Sequence, residues 1–328
     1  AVTGTIEDLT SIYVTNKAKF EGLGNEAVTI DPASEVSAAQ LNAIAAATSG
    51  IVTATLSSDT PLNAATVTAL KDVKTTDTIT FNSAIDTLDS VEALNALLAI
   101  KKIITAPNNF TSVTTIEADA KDIALVKSVL NDVAPTVAVT ITGDISAADA
   151  AAIAGDSVLT ATIKAGTVKD TLKAIEDVDA ADVITFKTTD TSVDAKELVD
   201  LDALVTLDAS SVKTITSATA GSVAEALAIV EDANVTITGS ISVTNANTIA
   251  AATEGVLTAT ITQGTADELK ALNTNTSDIL ALTVTSGVAA DIVALLEKTG
   301  GKIKVDATVV AVTGTIEDLT SIYVTNKA

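Results

Sequence analysis

Apolar positions recur along the chain in two alternating rhythms. Runs in which Val, Ile or Leu alternate with Thr have a period of two and predict half-buried strands. They are IVTAT from Ile51, TITF from Thr78, VAVTIT from Val137, VLTATI from Val158, VITF from Val183, VTIT from Val235, VLTATIT from Val256, ILALTVT from Ile279 and KIKV from Lys302. Between these runs the apolar spacing changes to three and four. Val288, Ile292, Leu295 and Leu296 make one such stripe, and the stretches between strands predict helices of about three turns. Thr265 with Glu268, Ser222 with Glu225 and Thr191 with Asp194 have capping-box spacing, in which a hydroxyl accepts an orphan backbone N–H and the later carboxylate reaches back. Gly50, Gly255 and Gly300 stand where helices should stop and are expected to take the left-handed turn there.

A longer repeat lies above the strand-helix unit. VTIDPASEVSAAQLNAIAAATSGIVTATL from Val28, VTITGDISAADAAAIAGDSVLTATI from Val139 and VTITGSISVTNANTIAAATEGVLTATI from Val235 are versions of one text. AVTGTIEDLTSIYVTNKA, residues 1–18, returns letter for letter as residues 311–328, an offset of 310 residues. The chain therefore divides into 1–27, the end of a unit continuing from a preceding period, and three super-repeats at 28–138, 139–234 and 235–328. Each super-repeat holds about four strand-helix units of roughly 20 to 36 residues, the size of solenoid repeats.

Strands joined by helical crossovers run parallel, and such crossovers are almost always right-handed. A helix is about 10 Å wide and a strand about 4.8 Å, so helices kept to one side force the stack to bend or supercoil. The expected fold is α/β, a right-handed repeat solenoid of short parallel strands with helical crossovers on one side; the alternative is a parallel β-helix in which some helices are really turns. About twelve units per period do not suit a barrel of eight, and no topological switch marks a doubly wound sheet. Solenoids are normally closed by polar capping repeats, and neither end of the text departs from the interior. A neighbour is expected at each end, either covalent tandem repeats or identical subunits.

Composition narrows the chemistry. Of the 328 residues 47% are hydrophobic but only 2% aromatic, which suits a thin layered core better than a deep one. The net charge is −23 and every basic residue is Lys, a pattern that repels phosphate backbones and excludes nucleic acid as the expected partner. The chain has no Cys and no His, which removes thiol chemistry, zinc sites and the usual nucleophile-base pairs. No apolar run approaches a membrane span of about 20 residues, so no membrane insertion is expected.

Carboxylates are what remains. Asp200 with Asp202 and Asp190 with Asp194 are close enough in sequence to serve as acid-base pairs, but no orienting group converges with them. Asp31, Asp59, Asp144, Asp190 and Asp208 recur at strand ends and are candidate calcium ligands, since hard cations take oxygen donors. The same residue type at a strand-to-helix junction also acts simply as a cap or turn residue. No cofactor is required by the text; calcium is the one candidate. Gly22 and Gly24 precede a strand and read as turn glycines, and Asn109, Asn234 and Asn275 lie in N-x-S/T sequons.

VSAAQLNAIAAATSGIVTATL, SVTNANTIAAATEGVLTATIT and VTGTIEDLTSIYVTNKAKFEGLGNEAVTI resemble the tandem repeats of giant bacterial cell-surface proteins. Those of cyanobacteria are the nearest in kind, including the large swimming-associated surface protein of marine unicellular forms. The resemblance implies a secreted repeat array on the cell surface, often accompanied by calcium-binding repeats, whose paired-glycine motif this text lacks. The expected function is an extracellular structural repeat protein forming an elongated fibre or surface coat, used in adhesion, surface display or motility, with no enzymatic activity. Its expected partners are copies of itself end to end, with a cell-surface polysaccharide as a further candidate. The alternatives are a solenoid binding module for a polysaccharide or protein and, last, a carboxylate-based hydrolase.

Overall fold

An alternating run can bury one set of side chains only if it is extended, because successive residues of a strand face opposite ways. The computed structural model describes residues 1–104, 110–134, 136–309 and 311–326, and all nine runs named above are strands. In Val52–Leu56, Val183–Thr188 and Ile279–Val284 every second residue is buried while the residues between are more exposed. Each of these strands thus has one covered face, lined by Val, Ile, Leu, Ala or Phe and, in Val183–Thr188, by Thr188, and one outward face that Thr shares with Val183, Lys187, Ile279 and Ala281.

The architecture is α/β: among the described residues three sheets of parallel strands alternate with helices, and none of the three closes on itself. The chain divides into two compact units, residues 1–164 with 175–184, and residues 165–174 with 185–328.

In the first unit Val52–Leu56 is the hub of one sheet. Val28–Ile30 and Glu35–Val36 run along one of its edges as two halves of an interrupted strand, and Thr78–Phe81 takes the other. Val2–Gly4 adds to the far side of Val28–Ile30. A second run of parallel pairs takes Thr87–Leu88 to Thr115–Asp119, then to Ala138–Ile145, and on to residues 158–163 of the strand Val158–Gly166. Each helix packs on the next in sequence, from Ile6–Thr10 through Ala38–Ala47, Ala64–Ala69, Val91–Lys101 and Ile123–Leu130 to Ala147–Ala154. Phe81 and Phe110 meet edge to face in this core, with ring centroids 5.7 Å apart.

In the second unit Thr206–Asp208 pairs with Val183–Thr188. A separate sheet runs Ser192–Asp194, Thr214–Ser217, Asn234–Ile241, Leu257–Ile261, Ile279–Val284 and Ile303–Val305. Val168–Ala174, Ala195–Asp202, Val223–Ile229 and Val243–Ala252 pack one on the next, as do Ala266–Leu269, Ala289–Ala294 and Ile316–Thr320.

In both units register puts like on like. Val28 faces Val52, Thr29 faces Thr53, Thr140 faces Thr160, Ile145 faces Ile163 and Thr236 faces Thr258. A residue type that suits the covered or the outward face in one strand suits the same place in its neighbour, and matched cross-strand pairs stabilise the sheet. The register shift between Thr140 and Asp144 recurs between Thr236 and Ser240, where the texts VTITGD and VTITGS correspond.

Several expectations about helix ends need correction. The α-helices run from 4 to 11 residues, mostly short of three turns, because turns take up part of the return path. Thr265 and Glu268 form the expected capping box. Ser222 makes no cap hydrogen bond, its backbone not being extended as a capping residue requires. Thr191 is not the cap of the helix that follows it: residues 192–194 form a strand, and Asp194 itself caps Ala195–Asp202 by accepting from the N–H groups of Lys196 and Glu197. Val288 is exposed at the helix N-cap, whereas Ile292 and Leu295 are buried.

The glycines at helix ends have a different task from the one expected. Gly50, Gly255 and Gly300 do not adopt positive φ; Gly22 and Gly24 do, as turn glycines should. A Cβ at Gly50 would lie 2.2 Å from the Glu26 carbonyl oxygen, and one at Gly255 would lie 2.5 Å from that of Ala233. The cause is a Thr two residues earlier. Thr48 donates its hydroxyl to the Glu26 carbonyl and accepts from the Gly50 N–H, and Thr253 does the same between Ala233 and Gly255. Thr299 ties Asp278 to Gly301 in the same way. The Thr pulls the turn onto the backbone of the preceding unit, and glycine leaves room for it.

Gly255→Ala is therefore expected to destabilise the fold by about 1–3 kcal/mol, the usual cost of overpacking, although alanine is compatible with its φ. Gly221→Ala, where the nearest atom is 3.6 Å away, is the control. Chemical denaturation of the two variants checks this, with an unchanged midpoint expected for the control.

Candidate functional site

A strand that starts beside its neighbour leaves its first N–H without a partner unless something reaches across. Three aspartates do this at corresponding places. Asp77 accepts from the Val52 N–H at 2.9 Å and from the Lys74 N–H of its own turn at 2.8 Å. Asp182 accepts from Leu159 at 2.7 Å and Asp179 at 3.0 Å. Asp278 accepts from Leu257 at 2.9 Å and Asn275 at 3.1 Å. Asp77 and Asp278 are buried. Sequence reasoning passed over all three, although the signal was present: in TTDTITF, AADVITF and TSDILAL an Asp stands two residues before the first buried strand position.

The acids that were singled out lie elsewhere and apart. Asp31 accepts from the Ala33 N–H at 2.9 Å inside its own turn. Asp59 accepts from the Ser57 hydroxyl. Asp144 is exposed on a strand. Asp190 accepts from the Val168 N–H at 2.7 Å and the Thr188 hydroxyl at 3.2 Å. Asp208 pairs with Lys187 at 2.9 Å, and Ser210 first, then that ammonium, holds its carboxyl well below the usual range. Among the described residues no three acids come together as a metal site would need. Of the carboxylate pairs, Asp190 and Asp194 are engaged in the backbone contacts just described, while Asp200 is held by Lys196 one helical turn away. Asn234 accepts from the Val256 N–H at 2.8 Å and Asn275 from the Ser277 N–H at 2.7 Å; Asn109 lies outside the described residues.

One open groove of 510 Å³ runs between Ala38–Ala47 and Ala64–Ala69, with Glu35 and Asp59 at its rim. Both acids accept from the Ser57 hydroxyl and Glu35 also from the Ser58 N–H. These contacts brace the turn that carries Ser57 and Ser58.

The most distinctive surface is where the 18-residue text recurs. Local structure is the same in both copies. Thr5 and Thr315 cap Ile6–Thr10 and Ile316–Thr320, and each helix widens into a π-turn over Ser11–Thr15 or Ser321–Thr325. The surroundings differ. Val2–Gly4 pairs with Val28–Ile30, whereas residues 312–314 form no strand. Ile6 is 5% exposed and Tyr13 1%; their counterparts Ile316 and Tyr323 are 85% and 56% exposed. The first copy is covered by Ala38–Ala47, and the Lys17 ammonium donates to the Ala47 carbonyl at 2.8 Å.

Beneath this cover the Tyr13 hydroxyl lies against Glu26 without reaching good hydrogen-bond geometry to any group. Burial first, then the neighbouring carboxylate, pushes the Tyr13 hydroxyl up. The Tyr13 hydroxyl, helped by the Gly24 and Asn25 N–H groups, holds Glu26 down at about 2. At the other end a groove of 310 Å³ stays open between Ile292, Leu296, Val305, Ile322 and Tyr323. No family model, curated protein or solved structure matches the chain.

Two outcomes are expected from these contacts. Asp278→Ala leaves two N–H groups without their charged acceptor and should cost about 3 kcal/mol, with Asp278→Asn losing less; equilibrium unfolding in urea measures both. Glu26 titrates lower folded, at about 2, than its ordinary 4.5. Its contribution is thus complete above 4.5 and lost as pH falls through 2. The melting-temperature difference between wild type and Glu26→Gln should be constant near neutrality and shrink across that window.

Proposed function

We propose that the chain is a period of an extracellular structural repeat protein, an α/β solenoid with right-handed helical crossovers on one side, which forms an elongated fibre or cell-surface coat serving adhesion, display or motility. The observation that supports the reading best is the recurrence of one text: residues 1–18 return as residues 311–328, and residues 1–18 lie under the unit that follows them. Within each compact unit strands pair in parallel and each helix rests largely on its sequence neighbour, which supports a stack that grows by one unit at a time. The acids bear on this reading too, since the best-placed ones hold backbone N–H groups.

The cell-surface placement rests on the resemblance to tandem repeats of giant bacterial surface proteins, and the charge of −23 suits a long soluble polymer. Among the described residues no helix is long and apolar enough to cross a membrane.

About twelve units at a strand spacing of about 4.8 Å give an axial rise of about 58 Å per period. Averaged electron-microscope images of native material should therefore show filaments or a coat with that repeat, shortened by any supercoil. Compact particles of one size with no axial repeat would contradict the proposal.

A further inference from the structure

Two carboxylates of the first unit share one donor. Glu35 and Asp59, at the rim of the groove between Ala38–Ala47 and Ala64–Ala69, both reach the Ser57 hydroxyl, which has a single proton to give. Glu35 also accepts from the Ser58 N–H and hydroxyl, all through the same oxygen. Its other oxygen, like one oxygen of Asp59, accepts from nothing among the described residues. Among those residues no lysine pairs with either acid, and none lines the groove.

The lining includes two threonines, Thr60 and Thr66, which are 6% and 5% exposed. Neither hydroxyl makes a hydrogen bond, and neither oxygen is sealed from solvent, so both open into the groove. A hydroxyl this deeply buried is seldom left without a partner, because an unmade hydrogen bond costs free energy. Between the polar groups the walls are Ala39, Pro61 and Ala65, which suit a methylene stem better than a second charge. A corresponding text shows a cation at the same level. VTATLS from Val52 matches LTATIK from Leu159, so Lys164 stands in the place of Ser57. There Lys127 first, then Ser146, with Lys164 adding to them, hold the Asp149 carboxyl below the usual range.

We propose that the groove binds the side chain of a lysine presented by a partner polypeptide, its ammonium held by Glu35 and Asp59 and its stem lying along Ala39, Pro61 and Ala65. An ammonium has three donors; the two open carboxylate oxygens and a threonine hydroxyl supply three acceptors. Arginine fits less well, since its fork seeks both oxygens of one carboxylate and one Glu35 oxygen is already taken by Ser57 and Ser58. Calcium wants about 6–8 oxygen ligands, and among the described residues no three acids converge. The site goes beyond the fibre reading and does not depend on it.

Amide NMR of the full chain, titrated with Nα-acetyl-lysine amide, tests the site. Wild type should show saturable shifts of the Ser58, Thr60 and Thr66 signals, with the millimolar dissociation constant expected of so small a ligand. Nα-acetyl-norleucine amide, which has a similar stem without the charge, should bind weaker by roughly tenfold or more, as should the lysine probe to Glu35→Gln/Asp59→Asn. Because Glu35 also braces its turn, two further variants leave the acids alone. Ala65→Leu fills the groove from an exposed position and should abolish binding, while Thr66→Val removes only a hydroxyl and should weaken it about fivefold. No saturable shift in wild type, equal binding of the norleucine probe, or binding that survives Ala65→Leu would overturn the site. Calcium chloride that moves the same signals and resists displacement by the lysine probe would overturn it too, in favour of a metal site.

Discussion

No strand-helix unit in this chain can bury its own apolar face, and the rest of the structure follows from that constraint. A strand of two to nine residues with a short helix behind it offers one covered face and two edges of unpaired N–H and C=O groups. Both needs are met by the next unit in sequence, through a parallel strand at the edge and a helix against the helix. Where strands pair within a sheet, the same residue type recurs at the same level, Val over Val and Thr over Thr. The internal repeats of the sequence are the trace of this stacking. They also explain a core of Ala, Val, Ile and Leu with few aromatics, since the space between a strand and a helix one layer away is thin and uniform.

Parallel stacking leaves gaps where the chain turns, and polar side chains close them. Asp77 and Asp278 hold the first N–H of the adjoining strand and Asp182 the second, while Thr48, Thr253 and Thr299 tie the turn after a helix to the unit before. Lysines work between helices: Lys101 reaches Asp132, Lys127 reaches Asp149 and Lys270 reaches Asp291, each on or beside the next helix. These pairs are partly exposed and individually worth about 0–1 kcal/mol. The acidic character that suggested cation binding is thus partly consumed in bonding the repeat to itself.

Much of this was legible beforehand. The period-two runs located nine strands, and the mixture of strands and crossovers implied parallel pairing. What escaped notice were devices whose meaning depends on a second segment. Asp278 and Asp31 look alike in sequence; one reaches across to Leu257 while the other folds back on Ala33. Gly50 and Gly255 read as helix terminators, yet they are glycines because a carbonyl of the preceding unit passes within 2.5 Å of where a Cβ would be. Thr191 has cap spacing, but pairing of Ser192–Asp194 with residues 214–216 moves the helix start to Asp194.

The repeated 18 residues divide the two kinds of information cleanly. Sequence by itself determined the Thr caps at Thr5 and Thr315 and the helix that widens into a π-turn, which are the same in both copies. Those features close their hydrogen bonds within a few residues, so surroundings hardly matter. Only the tertiary structure decided that Val2–Gly4 is a strand while residues 312–314 are not, and that Ile6 is core while Ile316 is surface. A strand and a buried side chain are relations between two segments, and the second segment, Val28–Ile30 with Ala38–Ala47, lies beside the first copy.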